Sequence, residues 1–273
     1  MAAQPARAAA VVELLADSSV GDSPNSFMPS DSIPLGSVPR RSLPLVSVPQ
    51  LSLIVPMLNE ASGIANFLQS NLPRLPKGTE VILVDGGSAD ASKAITAGFP
   101  VQLLESQRGR ARQMNAGAES AAGQYLLFLH ADTQLNQNFS EQFEQWVATD
   151  PVWGFSPVRL DGTQLWCRIV EFSINLRTRI TSGASGDQGI VLQADKFREL
   201  GGYREIDLME DIDLSYRLRR QSKPRRFAQP VTTSNRRWVE GGVVRTVVMM
   251  WFLRLSFRLG VAPRRLARIY SGV

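Results

Sequence analysis

Carboxylates at the ends of apolar runs are the residues of this chain best placed to do chemistry. Asp132 follows the apolar run 125–129 and closes the triplet His130-Ala131-Asp132. Hard divalent cations such as Mg²⁺ and Mn²⁺ take oxygen ligands and commonly bridge diphosphates, so Asp132 is a candidate metal ligand. Asp132-Thr133 suits a helix start equally well. Asp85 ends a second apolar run, 81–84. Its oxygens could accept from a base N–H or a ribose hydroxyl, or cap the turn that follows. Glu210-Asp211 opens a helical stretch, where the helix dipole favours an ionised carboxylate. Such a group can take a proton from an attacking hydroxyl, although acidic residues also serve simply to stabilise helix starts. Two basic spots complete the set: Arg108, Arg110 and Arg112, and Arg236-Arg237-Trp238. Each would neutralise a diphosphate leaving group or lie on an exposed basic loop. His130 either lines a site or packs at a strand end, and the acid pair is the better general base.

Positioning these groups requires a scaffold, and its pattern begins at Leu51. Residues 51–57 read as a buried strand, followed by a helix with Ile64, Phe67 and Leu68 on one face. Residues 81–84 and 101–104 read as the second and third strands, separated by a helix that Ser88 or Asp90 can cap. A helix over 111–122 leads to a fourth strand, 125–129. Phe139, Phe143, Trp146 and Val147 then mark a helix face. This alternation predicts an α/β fold with a mostly parallel sheet flanked by helices. Ligands of such sheets bind beyond the carboxyl ends of the strands. Pro56-Met57-Leu58-Asn59-Glu60, Asp85-Gly86-Gly87-Ser88 and Asp132 should therefore share one edge. The second half is less regular. Leu165, Ile169, Phe172 and Leu176 share a helical face. Residues 181–189 form a Gly-rich loop with Asp187. A short helix over 195–200 ends at Gly201-Gly202, and residues 243–259 are helical. Residues 1–49, rich in Ala, Ser and Pro, are expected to be a disordered extension, with 50–273 forming one domain.

Composition narrows the partners. Thirty Lys and Arg against 25 Asp and Glu give a formal charge of +5, which suits anionic ligands. No basic run is long enough for a nucleic-acid arm, so no nucleic-acid partner is expected. Cys167, the single cysteine, is expected in the core, and the single histidine excludes a His-rich metal site. No stretch reaches the roughly 18 uncharged apolar residues that span a membrane. A cytoplasmic protein is expected, with peripheral membrane contact open. The apolar run 246–253, followed by Arg254 and Arg258, would either pack in a core or dimer interface or touch a bilayer surface, with packing the favoured reading.

Together the motifs resemble family-2 inverting glycosyltransferases of the GT-A fold, over about residues 51–238. Leu53-Ile54-Val55-Pro56-Met57-Leu58-Asn59-Glu60 is similar to that family's opening strand and nucleotide loop. Val84-Asp85-Gly86-Gly87-Ser88-Ala89-Asp90 resembles its second motif, whose aspartate contacts the nucleobase. His130-Ala131-Asp132 occupies the place of the Asp-x-Asp metal motif, with His130 where the family more often has aspartate. Met209-Glu210-Asp211 resembles the acid pair that holds the catalytic base. Arg236-Arg237-Trp238 resembles a shortened Arg-Trp signature. More narrowly, Gly109-Arg110-Ala111-Arg112-Gln113-Met114-Asn115-Ala116-Gly117 and Gly186-Asp187-Gln188-Gly189 resemble a small bacterial subfamily labelled arsenosugar-biosynthesis glycosyltransferases.

The resemblance implies a metal-assisted single displacement. Asp211, beside Glu210, would be the base, and Asp132 would hold Mn²⁺ or Mg²⁺. Pro56, Asn59, Glu60, Asp85, Gly86, Arg108, Arg112 and Arg237 would bind the nucleotide sugar, a UDP-sugar in most of the family. Asp187, Gln188 and Trp238 would face a small hydroxylated acceptor. A lipid-type acceptor at a membrane surface, or a degenerate fold with only an interaction role, are the alternatives. Asn59-Glu60-Ala61-Ser62-Gly63 lacks the Gly-rich triphosphate cradle of a nucleotidyltransferase and the G-x-G-x-x-G of a dehydrogenase.

Overall fold

The computed structural model describes residues 50–271. The extension expected over residues 1–49 lies outside the described residues. The first half alternates as its sequence predicts: β1 (Leu51–Met57), α1 (Ile64–Asn71), β2 (Glu80–Asp85), α2 (Ser92–Thr96), β3 (Gln102–Glu105), α3 (Arg110–Ser120) and β4 (Tyr125–Phe128). Then follow β5 (Thr133–Gln134), α4 (Phe139–Val147), β6 (Trp153–Phe155), β7 (Val158–Leu160), α5 (Leu165–Thr181) and β8 (Ile190–Gln193). The chain closes with α6 (Ala194–Glu199), α7 (Glu210–Gln221), β9 (Val231–Thr233), α8 (Arg236–Gly241), α9 (Val243–Arg258) and α10 (Pro263–Ser271).

The main sheet runs β3-β2-β1-β4-β8-β6. Its first four strands are mutually parallel, and β8 lies antiparallel to both β4 and β6. A small sheet, β5-β9-β7, stands beside it. Both faces of the main sheet are covered, which is why its central strands read as unbroken apolar runs. Leu51, Leu53, Val55 and Met57 point to one face, with Phe67 of α1 and Phe139, Phe143 and Trp146 of α4. Ile54, Ile82, Val84 and Phe128 point to the other, with Met114 of α3, Phe197 of α6 and Leu214 of α7. The period of two along each strand thus divides one sheet between two cores.

Gly117 lets α3 lie close on that sheet. A Cβ there would come within 2.5 Å of Ile54 Cγ2 and 3.0 Å of Val84 Cγ2. The close approach fixes the N-terminal end of α3, and so Arg110, at the carboxyl edge of the strands. Helix α2 starts later than the sequence suggests. Its N-cap is Ala91, although Asp90 Oδ1 still accepts from the Ser92 N–H at 3.0 Å. Cys167 is buried as expected.

The run 246–253 packs only in part, with Met249 and Met250 against the Leu253 cluster. Only Thr246 and Leu253 of α9 are buried, and Val248, Trp251 and Phe252 are exposed. The apolar stripe of α5 faces outward too, because the helix buries Cys167 and Val170 instead.

Candidate active site

A pocket of about 760 Å³ opens at the carboxyl edge of the sheet, a volume typical of small-molecule sites. Three strand ends meet there. Pro56, Met57, Leu58 and Glu60 line it after β1, Arg108 and Arg110 before and at the start of α3, and His130, Ala131 and Asp132 after β4. Because β8 is antiparallel, the turn that precedes it, Gly186–Gln188, arrives at the same edge and contributes Asp187. Arg236, Arg237 and Trp238 of α8 close another side.

The segment carrying Asp132 is pinned from below. Asn71, buried at the end of α1, donates to the Thr133 carbonyl at 3.1 Å and accepts from the Leu135 N–H at 2.8 Å. Asp132 itself remains exposed, with Thr133 Oγ1 at 3.3 Å from its carboxylate. Burial raises the pKa of the neighbouring Glu60 carboxyl, and the negative charge of Asp132 raises it further.

Glu210 and Asp211 begin α7 after Met209, which adopts a left-handed φ of 73°. A methionine pays strain for that conformation, and the packing of Met209 and Ile212 against Leu253 of α9 and Leu266 of α10 holds it. The turn sends Asp211 toward Gly186, whose N–H donates to Asp211 Oδ2 at 2.6 Å. The other oxygen accepts from the Ile212 N–H at 2.7 Å. Asp211 is therefore tied to Gly186, between the pocket-lining Ser185 and Asp187, without lining the pocket itself. Glu210 is buried, 3.9 Å from Arg110. Burial and the Asp211 charge raise its carboxyl pKa, with Arg110 opposing them.

Asp187 pairs with His130, Nδ1 to Oδ1, at 3.2 Å. Its enclosed setting would raise the carboxyl pKa. The hydrogen bond and attraction of His130, together with Arg237 and Arg110, outweigh this and hold it well below the usual carboxylate range.

Several residues chosen from the sequence make contacts within the scaffold. Asp85 is fully buried, its oxygens accepting from the Gly87 and Ser88 N–H groups, each at 2.9 Å, and from the Ser88 hydroxyl. In this structure it caps the turn that follows β2. Gly86 is buried against Gln113. Asn59 Oδ1 accepts from the Ala89 N–H at 2.9 Å, which ties the two loops together but keeps Asn59 out of the pocket lining. Arg112 also lies outside that lining, in an exposed ion pair with Glu205 at 3.0 Å. Gln188 is completely buried and donates to the Ser156 carbonyl at 3.2 Å. Its amide braces the turn that presents Asp187.

Other residues had no assigned role in the sequence. Gln113 Nε2 donates to the Met57 and Val84 carbonyls, both at 2.8 Å, and so joins the ends of β1 and β2 where their loops diverge. Buried bonds of this kind contribute roughly 1 kcal/mol each. Asn115 holds Tyr203 through both backbone groups, at 2.8 and 2.9 Å. Arg177 of α5 and Arg254 of α9 also line the pocket. Arg177 donates to the Gly183 carbonyl at 2.8 Å, but its Nε and one terminal nitrogen are buried without a partner, as is Nε of Arg254. Burial, reinforced by the charge of Arg254, pushes the Arg177 guanidinium down to about 9.

The comparisons with known proteins agree with this geometry. Glycosyl transferase family 2 matches residues 52–195, just over half of the 273-residue chain. The chain belongs to that family. Among curated relatives, the glycosyltransferase GlyG of Streptococcus pneumoniae is 29% identical over 104 residues, covering 36% of this chain and 35% of GlyG. The chain thus spans about a third of the length of such a relative. Among solved structures, TarS of S. aureus superposes with a TM-score of 0.56 at 17% identity, over 68% of this chain and 60% of that one. The mannosyltransferase PcManGT of Pyrobaculum calidifontis, in complex with GDP-Man and Mn²⁺, gives 0.52 at 21% identity, over 69% and 57%. The family-2 domain here has the GT-A arrangement, with the matched region running from β1 to the start of α6.

Proposed function

We propose that this family-2 domain transfers a sugar from a nucleoside-diphosphate sugar to an acceptor hydroxyl, by a single displacement with inversion. The observation that carries the reading is Asp211, fixed to Gly186 beside the pocket and near enough to feel the Arg110 charge, with Arg108, Arg110 and Arg237 lining that pocket. Asp211 takes the proton of the acceptor hydroxyl. The oxygen forms its bond to the anomeric carbon as the bond from that carbon to the diphosphate oxygen breaks, and the diphosphate leaves with the electron pair. Arg108, Arg110 and Arg237 receive the growing negative charge. The His130–Asp187 pair and Trp238 border the acceptor side. The neighbours solved with UDP, UDP-GlcNAc and GDP-Man support a nucleotide-sugar donor, with a UDP-sugar as first choice. The resemblance to arsenosugar-type enzymes supports a small hydroxylated acceptor group.

The residues present fit a divalent cation. Glu60 and Asp132 are neighbouring carboxylates at the pocket edge, close enough for one to raise the other. Among the described residues no three His, Cys, Asp or Glu side chains converge as a metal cluster. Asp132 would hold Mn²⁺ or Mg²⁺ together with donor phosphate oxygens and water, and Glu60 would balance its charge. When bound, the cation supplies positive charge to the leaving diphosphate.

A thermal-shift panel of UDP, GDP and their sugars, with and without Mn²⁺, tests donor binding. A ligand at a hundred times its Kd stabilises the folded state by about 2.7 kcal/mol. One nucleotide should raise the Tm, and more so with Mn²⁺. In Asp132→Ala the Mn²⁺-dependent part of the shift should vanish while the unliganded Tm holds. An undiminished Mn²⁺ effect in that variant would remove Asp132 from the metal site.

A further inference from the structure

The two helices that bring Arg177 and Arg254 to the pocket share a second property. Along α5, Leu165, Ile169, Phe172, Leu176 and Ile180 are all exposed, Leu165 to 76%. Along α9 and its C-cap Leu259, Val244, Val248, Trp251, Leu255 and Leu259 repeat the same spacing of four, three, four and four residues, again exposed, Trp251 to 64%. That spacing draws a stripe along one side of a helix. The helices are neighbours: Cys167, Val170 and Ile174 of α5 pack with Val243 and Val247 of α9. Two unpartnered apolar stripes therefore flank a pocket that holds two arginines with buried, unpaired N–H groups.

Charge decides what covers this face. Residues 236–271 contain eight arginines and one acidic residue, Glu240. Arg245, Arg258, Arg264, Arg265 and Arg268 are exposed. A second copy of the chain would bring a second set of these cations against the first, whereas an anionic bilayer complements both the charge and the apolar stripes. None of the described helices is long and apolar enough to cross a membrane, so contact is from one side.

We infer that the α5–α9 face seats on an anionic bilayer surface, and that Arg177 and Arg254 receive the anionic head of a lipid-linked acceptor presented from that bilayer. The inference rests on the transferase reading for the word acceptor; the docking does not. The hydroxyl that attacks would belong to a small polar head, and the apolar chain would leave along the stripes. The arginines bind the head group and take no proton.

The test uses the full chain and vesicles of phosphatidylcholine with and without phosphatidylglycerol, at low salt. Wild-type protein should sediment with the anionic vesicles and release as salt rises. Phe172→Glu and Leu255→Glu, at exposed positions, should each weaken binding roughly tenfold or more, with nucleotide thermal shifts unchanged. Hexyl phosphate should raise the Tm of wild type more than inorganic phosphate does, and Arg177→Gln with Arg254→Gln should abolish the difference. Absence of vesicle binding by the wild type would overturn the docking. Concentration-dependent dimers broken by the same two glutamates, without vesicle binding, would assign the face to a second copy. Equal shifts from hexyl phosphate and inorganic phosphate would overturn the lipid-linked acceptor. Loss of nucleotide binding alone would sink only the transferase reading.

Discussion

Asp211→Asn should lower kcat by roughly 10²- to 10⁴-fold, the usual contribution of a positioned base, with nucleotide-sugar binding unchanged. The substitution keeps shape and volume. Gly186 and Ile212 donate to different carboxylate oxygens, so the single amide oxygen keeps one of the two bonds, and the amide has no basic lone pair for the acceptor proton. Single-turnover rates with saturating donor measure the step directly. Asp187→Asn is the control, because Asp187 lines the pocket one residue from Gly186 and its carboxyl pKa is held low by His130. It should disturb His130 and acceptor affinity, appearing in KM more than in kcat. If Asp187→Asn stops turnover and Asp211→Asn does not, the base is Asp187.

The second large effect is expected from one methyl group. A Cβ at Gly186 would come within 2.4 Å of His130 Nε2 and 3.5 Å of Asp211 Oδ2. The ring cannot yield freely, because Asp187 holds its other nitrogen at 3.2 Å. Gly186→Ala should therefore displace the His130–Asp187 pair or the Gly186 N–H that fixes Asp211. A displacement of about 1 Å in a catalytic group costs on the order of 10²-fold in rate. We expect kcat to fall by that amount while circular dichroism and the Tm stay near wild type, since the turn is at the surface of the pocket rather than in the sheet core. Unaltered kcat would mean that this turn does not position the base.

The parts of this site legible in the sequence are those set by local pattern. Apolar runs ending in Asp or Pro mark the strand ends, and the sheet brings Pro56, Glu60 and Asp132 to one edge as those runs imply. A polar residue's position does not reveal whether its side chain is free. Asp85 and Gln188 sit at strand and turn positions suited to ligands, yet hydrogen bonds to their own loops consume them. Periodicity identifies a helix stripe without its direction: Leu165, Ile169, Phe172 and Leu176 repeat as a core face would, while the buried side is Cys167 and Val170. Arg177 and Arg254 were out of reach for a different reason. Each is one arginine within an ordinary helix, and only the tertiary fold makes them neighbours.

Inversion at the anomeric carbon by a base at Asp211 can be tested without knowing the acceptor. With water as the fallback acceptor, UDP-GlcNAc and GDP-mannose, both α-linked, can be turned over slowly at high enzyme concentration and followed by proton NMR before mutarotation. The first free sugar should be the β-anomer, and Asp211→Asn should abolish its release. Initial release of the α-anomer, or turnover indifferent to Asp211, would contradict it.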